Sequence, residues 1–229
     1  MSGAELRVLE AGKDLWLIVS TVTASEYGEA GLERGLKDLD WVGRQALEHE
    51  GIVERFLKTP AVLPMQLLTL FTTDARAVDY VTGDRARILR ILKRVEGHVE
   101  WGLRLTWDEL AARQSVERKH ARPRLSEGAA FLARKKDLLD VNRVQLEAAR
   151  KEADRVFRAL SKKATDASRR SATERAAPGS RLLLDAAFLV PAGGAAAFRA
   201  ALKQQEPALR RSGIAPSLTG PWPPYNFIA

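Results

Sequence analysis

The chain has 229 residues, of which 45% are hydrophobic and 29% charged, an ordinary globular composition with a net charge of +8. Cysteine is absent, which excludes disulfides, thiolate catalysis and cysteine-containing metal sites. The three histidines, His49, His98 and His120, are too far apart for a local zinc motif, and no run of 18 apolar residues is present to span a membrane. Charges near the N-terminus occupy the place of a signal peptide's apolar core, so we expect a cytoplasmic protein.

The N-terminal part reads as strands alternating with helices. The segment 14–23 is apolar on both faces, which predicts a strand buried in a sheet. The helix predicted over 38–58 has one apolar face for the core, formed by Leu39, Val42, Ala46, Val53, Phe56 and Leu57. The remaining predicted elements are strands over 6–9, from Pro64 to Phe71 and over 99–107, and a helix over 83–97. We interpret residues 1–107 as one α+β domain close to the split βαβ arrangement.

The C-terminal part, residues 108–229, is predicted to be a second domain built on a long helix. That helix spans 126–163 and has a continuous apolar stripe. The polar segment 164–180 ends in Pro-Gly and is expected to be mobile. A strand over 181–190, a helix over 194–211 and a strand over 214–218 follow, within a small α/β part that occupies 181–229.

The positive charge is concentrated in one central segment. Residues 104–175 hold 19 basic and 11 acidic side chains, and the rest of the chain is neutral. Such a segment is either an electrostatic patch for nucleic acid or a solvated helix surface rich in Arg. Acidic residues interrupt it throughout, which favours the solvated surface.

The tail has a composition unlike that of the rest of the chain. Pro221, Pro223 and Pro224 fix an extended backbone that presents the rings of Trp222, Tyr225 and Phe227. We expect a strap that packs back on the C-terminal domain with Trp222 mostly buried. The alternative is a rigid aromatic anchor for a partner.

The tail sequence LTGPWPPYNF closely resembles the C-terminal signature of the gas vesicle GvpF/GvpL family. Other stretches are similar to family segments in the same order, namely LDWVGRQALEHEGIVERFL, GHVEWGLRL, SEGAAFLARKK and SRLLLDAAFLVP. The segment 65–69 departs from the family pattern, and the family's opening strand is missing or reduced to 6–9. The signature comprises Gly220, Pro221, Trp222, Pro223, Pro224, Tyr225 and Phe227.

This resemblance implies a fold and a role. It implies an N-terminal ferredoxin-like α/β sandwich domain and a C-terminal domain with a long helix and a small α/β part. It also implies a non-enzymatic gas vesicle structural or assembly protein that binds the main shell protein, with other accessory proteins as further partners.

The residues themselves indicate no enzyme. Phosphate-binding glycine motifs and clustered metal ligands are absent from the sequence, so we predict no catalytic, cofactor or metal residues. The candidate partner-binding residues are Leu68 and Leu70, at a predicted sheet edge, and Val141 and Val144, opposite the long helix's main stripe. A basic nucleic-acid-associated protein and an enzyme with an undisclosed pocket are the alternatives.

Overall fold

The computed structural model describes residues 5–109, 127–171 and 179–228, and for 127–142 it describes the backbone alone. These residues form two compact units. The first unit runs to Glu96 and also takes in Pro223–Ile228, near the end of the chain. The second unit is Gly97–Trp222.

The first unit combines a two-stranded antiparallel hairpin with helices. Its elements are β1 (Leu6–Glu10), β2 (Trp16–Ser20), α1 (Ala24–Tyr27), α2 (Glu29–Gly35), α3 (Leu39–Arg55), α4 (Asp74–Gly83) and α5 (Arg85–Val95). Gly12 and Asp14 adopt positive φ angles in the tight connection between β1 and β2. The hairpin packs one face against α4 and α5, in a core that contains Leu15, Leu17, Ala77, Val81 and Ile88.

Helix α3 begins as its sequence predicts, and Val53 of the predicted apolar face is buried. Asp38 caps the helix by accepting a hydrogen bond from the backbone N–H of Asp40 at 2.9 Å. The predicted apolar face is wrong at Leu39, which is 85% exposed. Trp41 determines the orientation instead, because its ring packs against Gly35, where an added Cβ would lie 2.8 Å from the ring.

The second unit is an antiparallel four-stranded sheet with helices on one face. Its elements are β3 (His98–Asp108), α6 (Glu127–Ser161), β4 (Asp166–Arg169), β5 (Ser180–Pro191), α7 (Ala195–Arg211) and β6 (Ile214–Trp222). The strand order is β4-β5-β3-β6. Side chains alternate along β3, so that Trp101, Leu103, Leu105 and Trp107 enter the core with residues from α6 and α7.

Ion pairs fasten β4 to this sheet. Asp185 on β5 accepts hydrogen bonds from Nε of Arg170, at 2.7 Å, and from Nε of Arg104 on β3, at 3.2 Å. Arg169 pairs with Asp154 of α6 at 2.7 Å. The prediction that the segment 164–180 is mobile is therefore wrong at β4, because residues distant in sequence hold this polar strand. Residues 172–178 of that segment lie outside the described residues.

The predicted α+β class is confirmed, whereas the ferredoxin-like detail is not. Strand β3, which the sequence assigned to the N-terminal domain, pairs with β5 and β6 in the second unit. The strand predicted after Pro64 is not formed. Leu68 has a φ of 61°, and the Thr69 hydroxyl donates to the carbonyl of Gln66 at 2.6 Å, so a turn replaces extended backbone.

Candidate partner-binding surface

The β1–β2 hairpin has one covered face and one exposed face. Leu9, Leu17 and Val19 point into the core of the first unit. On the opposite face, Val8 lies across from Ile18, and Glu10 lies across from Trp16. Val8 is 63% exposed and Trp16 is 61% exposed. An apolar outer face on a sheet that is covered on one side only is a candidate interaction surface.

The residues on the outer face of the hairpin also direct their backbone N–H and C=O groups toward its open edges. The N–H of Ala11 donates to the carbonyl of Leu15 at 2.9 Å and so sets the alternation of the ladder. Leu9 with Leu17, and Arg7 with Val19, are then the hydrogen-bonded pairs. The N–H and C=O groups of the residues between them therefore face outward. Within the described part of the chain, no backbone hydrogen bond joins these outward groups to another segment.

Two arginines hold the hairpin in place from its covered side. Arg7 donates to both carboxylate oxygens of Asp74 on α4, at 2.5 and 3.0 Å. This hydrogen bond, together with the arginine's charge, lowers the pKa of Asp74. Arg85 on α5 donates to the carbonyls of Ala11 and Lys13 in the turn. The exposed face is therefore presented by an anchored hairpin.

The partner-binding residues predicted from the sequence lie elsewhere. Leu70 is 39% exposed and Leu68 is half-buried, and both belong to a loop of the first unit rather than to a sheet edge. Val144 is 61% exposed on α6 of the second unit. The side chain of Val141 lies outside the described residues.

The start of the tail signature continues strand β6. Trp222 lies opposite Glu100 of β3, across a register shift. Gly220 has a φ of 122°, and an added Cβ would lie 2.8 Å from the carbonyl oxygen of Glu100. Only glycine meets both conditions without strain. Most of the surface of Trp222 is buried, as the sequence predicts.

The end of the signature is buried as a strap would be, but in a different unit from the one predicted. Pro223 and Pro224 are buried, and Phe227 is 2% exposed in a short 3₁₀ turn that begins at Tyr225. These residues belong to Pro223–Ile228, which is part of the first unit. The sequence had placed this strap on the C-terminal domain.

Several arginines of the basic central segment are engaged in ion pairs. Besides Arg104 and Arg170 on Asp185, Arg155 pairs with Glu152 at 2.5 Å. The hydrogen bond from Arg155 lowers the pKa of Glu152. These guanidinium groups are therefore engaged in ion pairs within the second unit.

Sequence reasoning missed the exposure of Val8 and Trp16. The signal for the hairpin was present, because Gly12 and Asp14 lie between two short apolar runs. The signal for an uncovered face was not present, because Trp16–Ser20 is apolar at every position but the last.

In the described parts of the chain, no helix has the length and apolar character needed to cross a membrane.

Comparison with known proteins places the chain among gas vesicle proteins. Residues 1–229 match the model of a family described as gas vesicle synthesis protein GvpL/GvpF. Gas vesicle protein L of Streptomyces sp. (strain CB03234) is 28% identical over 234 residues, which cover 99% of this chain and 84% of the relative.

Two crystal structures have a similar fold over the full chain. GvpF from Anabaena sp. PCC7120 aligns with a TM-score of 0.69 and 13% identity, covering 100% of this chain and 90% of that one. GvpF from Microcystis aeruginosa aligns with a TM-score of 0.63 and 12% identity, with the same coverage. At these identities the two structures establish the fold alone.

Proposed function

This chain belongs to the gas vesicle GvpL/GvpF family, and on that basis we propose that it binds the main gas vesicle shell protein and supports vesicle formation as an assembly factor. The shell subunit is expected to be small, apolar and prone to self-association. A factor that binds it would limit aggregation or help to start the shell. Gas vesicle accessory proteins are further partners under this proposal, and the activity resides in a surface rather than in a catalytic pocket.

The exposed apolar face of the hairpin is the observation that supports this function best. An exposed Trp and an exposed Val beside the half-buried Ile18 form a patch that is unusual on a folded surface and typical of protein interfaces. Trp16 has the properties of a binding hot spot, because a partner that covers its large, exposed ring removes much apolar area from solvent. Leu70 and Val144 are proposed as secondary contacts, as are Leu68 and Val141.

The test is a quantitative pull-down of the purified chain with the shell subunit. We expect wild type to capture the subunit, and Trp16→Lys to weaken binding by about 30-fold, which corresponds to a hot spot of about 2 kcal/mol. The matched control is Leu47→Lys, a comparably exposed apolar residue on α3 of the same unit. Leu70→Asp and Val144→Asp should each weaken binding by less than Trp16→Lys.

Circular dichroism and thermal unfolding verify that each variant is folded. If folded wild type does not bind the subunit, and a strain that lacks the chain forms normal vesicles, the proposed function is wrong. Equal losses for Trp16→Lys and Leu47→Lys would show that the hairpin face is not the principal contact.

A further inference from the structure

The free edges of the two sheets differ in how easily another strand could pair with them. In the second unit, β4 is only four residues long and ends in the ion-paired Arg169. At the other edge, β6 contains Pro216 and Pro221, each of which removes an N–H donor. Short length, charge and proline are the features that keep edge strands from pairing with other chains. Both edges of the four-stranded sheet are protected in this way.

The hairpin lacks such protection along β2. From Leu15 to Thr21 the sequence LWLIVST contains no charge, no proline and no glycine. Strand β1, by contrast, carries Arg7 and Glu10. A short, uncharged segment of high β-propensity on an open edge is the kind of strand that accepts a partner strand. Of the four edges, β2 is the one best suited to pairing.

We propose that the free edge of β2 binds an extended, uncharged segment of the shell subunit as an added β-strand. This inference rests on the proposed function, which supplies the partner. The outward N–H and C=O groups of Trp16, Ile18 and Ser20 form hydrogen bonds with the incoming backbone. Alternate side chains of that segment then lie beside Trp16 and Ile18 on the outer face of the hairpin.

Charge determines which segment of the partner fits. No side chain from Leu15 to Thr21 is charged, so an incoming charged residue at the centre of this edge would lose hydration without gaining an ion pair. The exposed carboxylate of Glu10, across the ladder from Trp16, lies where a basic residue at the end of the added strand would be accommodated. The occupant is therefore an apolar strand with no acidic residue at the end near Trp16.

The inference also accounts for the form of the hairpin. A two-stranded sheet of five-residue strands is marginal by itself, and three strands with a shared apolar face are much more stable. An added strand would complete such a sheet. It would also cover an extended apolar segment of the shell subunit and keep that segment from self-association, which is how an assembly factor would act.

Amide hydrogen exchange, read residue by residue by NMR, tests the inference on the full-length chain alone and in complex with the shell subunit. In the free chain, the amides of Trp16, Ile18 and Ser20 should exchange rapidly, whereas those of Leu9 and Leu17 should be protected. In the complex we expect exchange at the three β2 positions to slow by at least about tenfold. The outward amides of β1 act as an internal control and should remain fast.

A pair of proline variants gives a second test. Ser20→Pro removes an outward N–H of β2 and leaves the β1–β2 ladder bonds in place. Its control is Leu6→Pro, at the residue directly opposite on β1. Ser20→Pro should weaken binding of the subunit at least tenfold, and Leu6→Pro should not. If either variant unfolds, the exchange experiment on wild type decides the question.

The outcomes separate this inference from the proposed function. Binding without slowed exchange on β2, or with protection on β1 instead, overturns strand addition while the proposed function stands. Protection that depends on the concentration of the chain alone shows that a second copy occupies the edge, which also overturns the inference. Failure of wild type to bind the subunit overturns the proposed function, and this inference with it.

Discussion

Replacing Phe227 with Ala should destabilise the first unit, although the residue is almost at the end of the chain. Its ring is nearly fully buried, and the flanking Pro223 and Pro224 are buried with it. The residues Pro223–Ile228 belong to the unit that contains β1 to α5. The substitution therefore tests whether the tail signature acts as a strap for that unit.

The size of the effect follows from burial. Truncation of a buried Phe to Ala costs about 3–5 kcal/mol, and we expect at least the lower value, about 3 kcal/mol. A unit of about 100 residues shifts its melting temperature by about 4–8 °C per kcal/mol, which predicts a decrease of about 12 °C or more. Leu36→Ala is the control, because Leu36 is largely exposed on the same unit and its loss should cost less than about 0.5 kcal/mol.

The assay combines calorimetric unfolding with amide exchange. Calorimetry gives the change in stability, and exchange identifies which elements open more readily in the variant. We expect faster exchange in α4 and α5, and little change in α7 or β5. Faster exchange confined to α7 and β5 would refute the assignment of the tail to the first unit. An unchanged melting curve would refute the strap itself.

The remaining predictions concern a glycine and an ion pair. Gly220→Ala should destabilise the chain by about 1–3 kcal/mol, since its φ of 122° and the nearby Glu100 carbonyl exclude a side chain. The control Gly43→Ala, at an open position on α3, should stabilise the chain slightly. Urea unfolding measures both changes in the free energy of unfolding. The Arg7–Asp74 pair stabilises the folded state at a pH above the ordinary carboxyl pKa, because the folded pKa of Asp74 is lowered. That contribution should disappear as the pH falls through the lowered value, so the stability of Asp74→Asn should depend less on pH in acid; identical profiles for variant and wild type would contradict this.

Elements with strong local patterns were predictable from the sequence. The long helix was predicted over 126–163 and is Glu127–Ser161, because an apolar stripe recurs with helical period along its whole length. The strand predicted over 181–190 is Ser180–Pro191, since its apolar run between turn residues has few other interpretations. Local pattern determines these elements, and tertiary contacts change little except their ends.

Elements that depend on distant partners were not predictable. Strand β4 is polar and four residues long, and it pairs with β5. Asp154 forms an ion pair with Arg169 of the strand, and Asp185 forms one with Arg170, the next residue. No periodic pattern of apolar residues within the segment 164–180 indicates those partners. The turn around Leu68 was also missed, since the apolar run that follows Pro64 resembles a strand although one left-handed residue interrupts it.

The candidate surface predicted from the sequence and the one drawn from the structure lie in different places. The sequence led to a sheet edge that competes with self-association, and located it near Leu70, where no strand forms. An apolar strand buried on both faces and one exposed on its outer face have the same residue pattern, because the pattern does not say how many layers cover a sheet. The fold shows that the hairpin is covered on one side only. Helices α4 and α5 lie on that side, and Trp16 on the other side is exposed to solvent. An apolar strand that follows a tight turn and pairs with one neighbouring strand alone is therefore better interpreted as an open edge than as a strand buried on both faces.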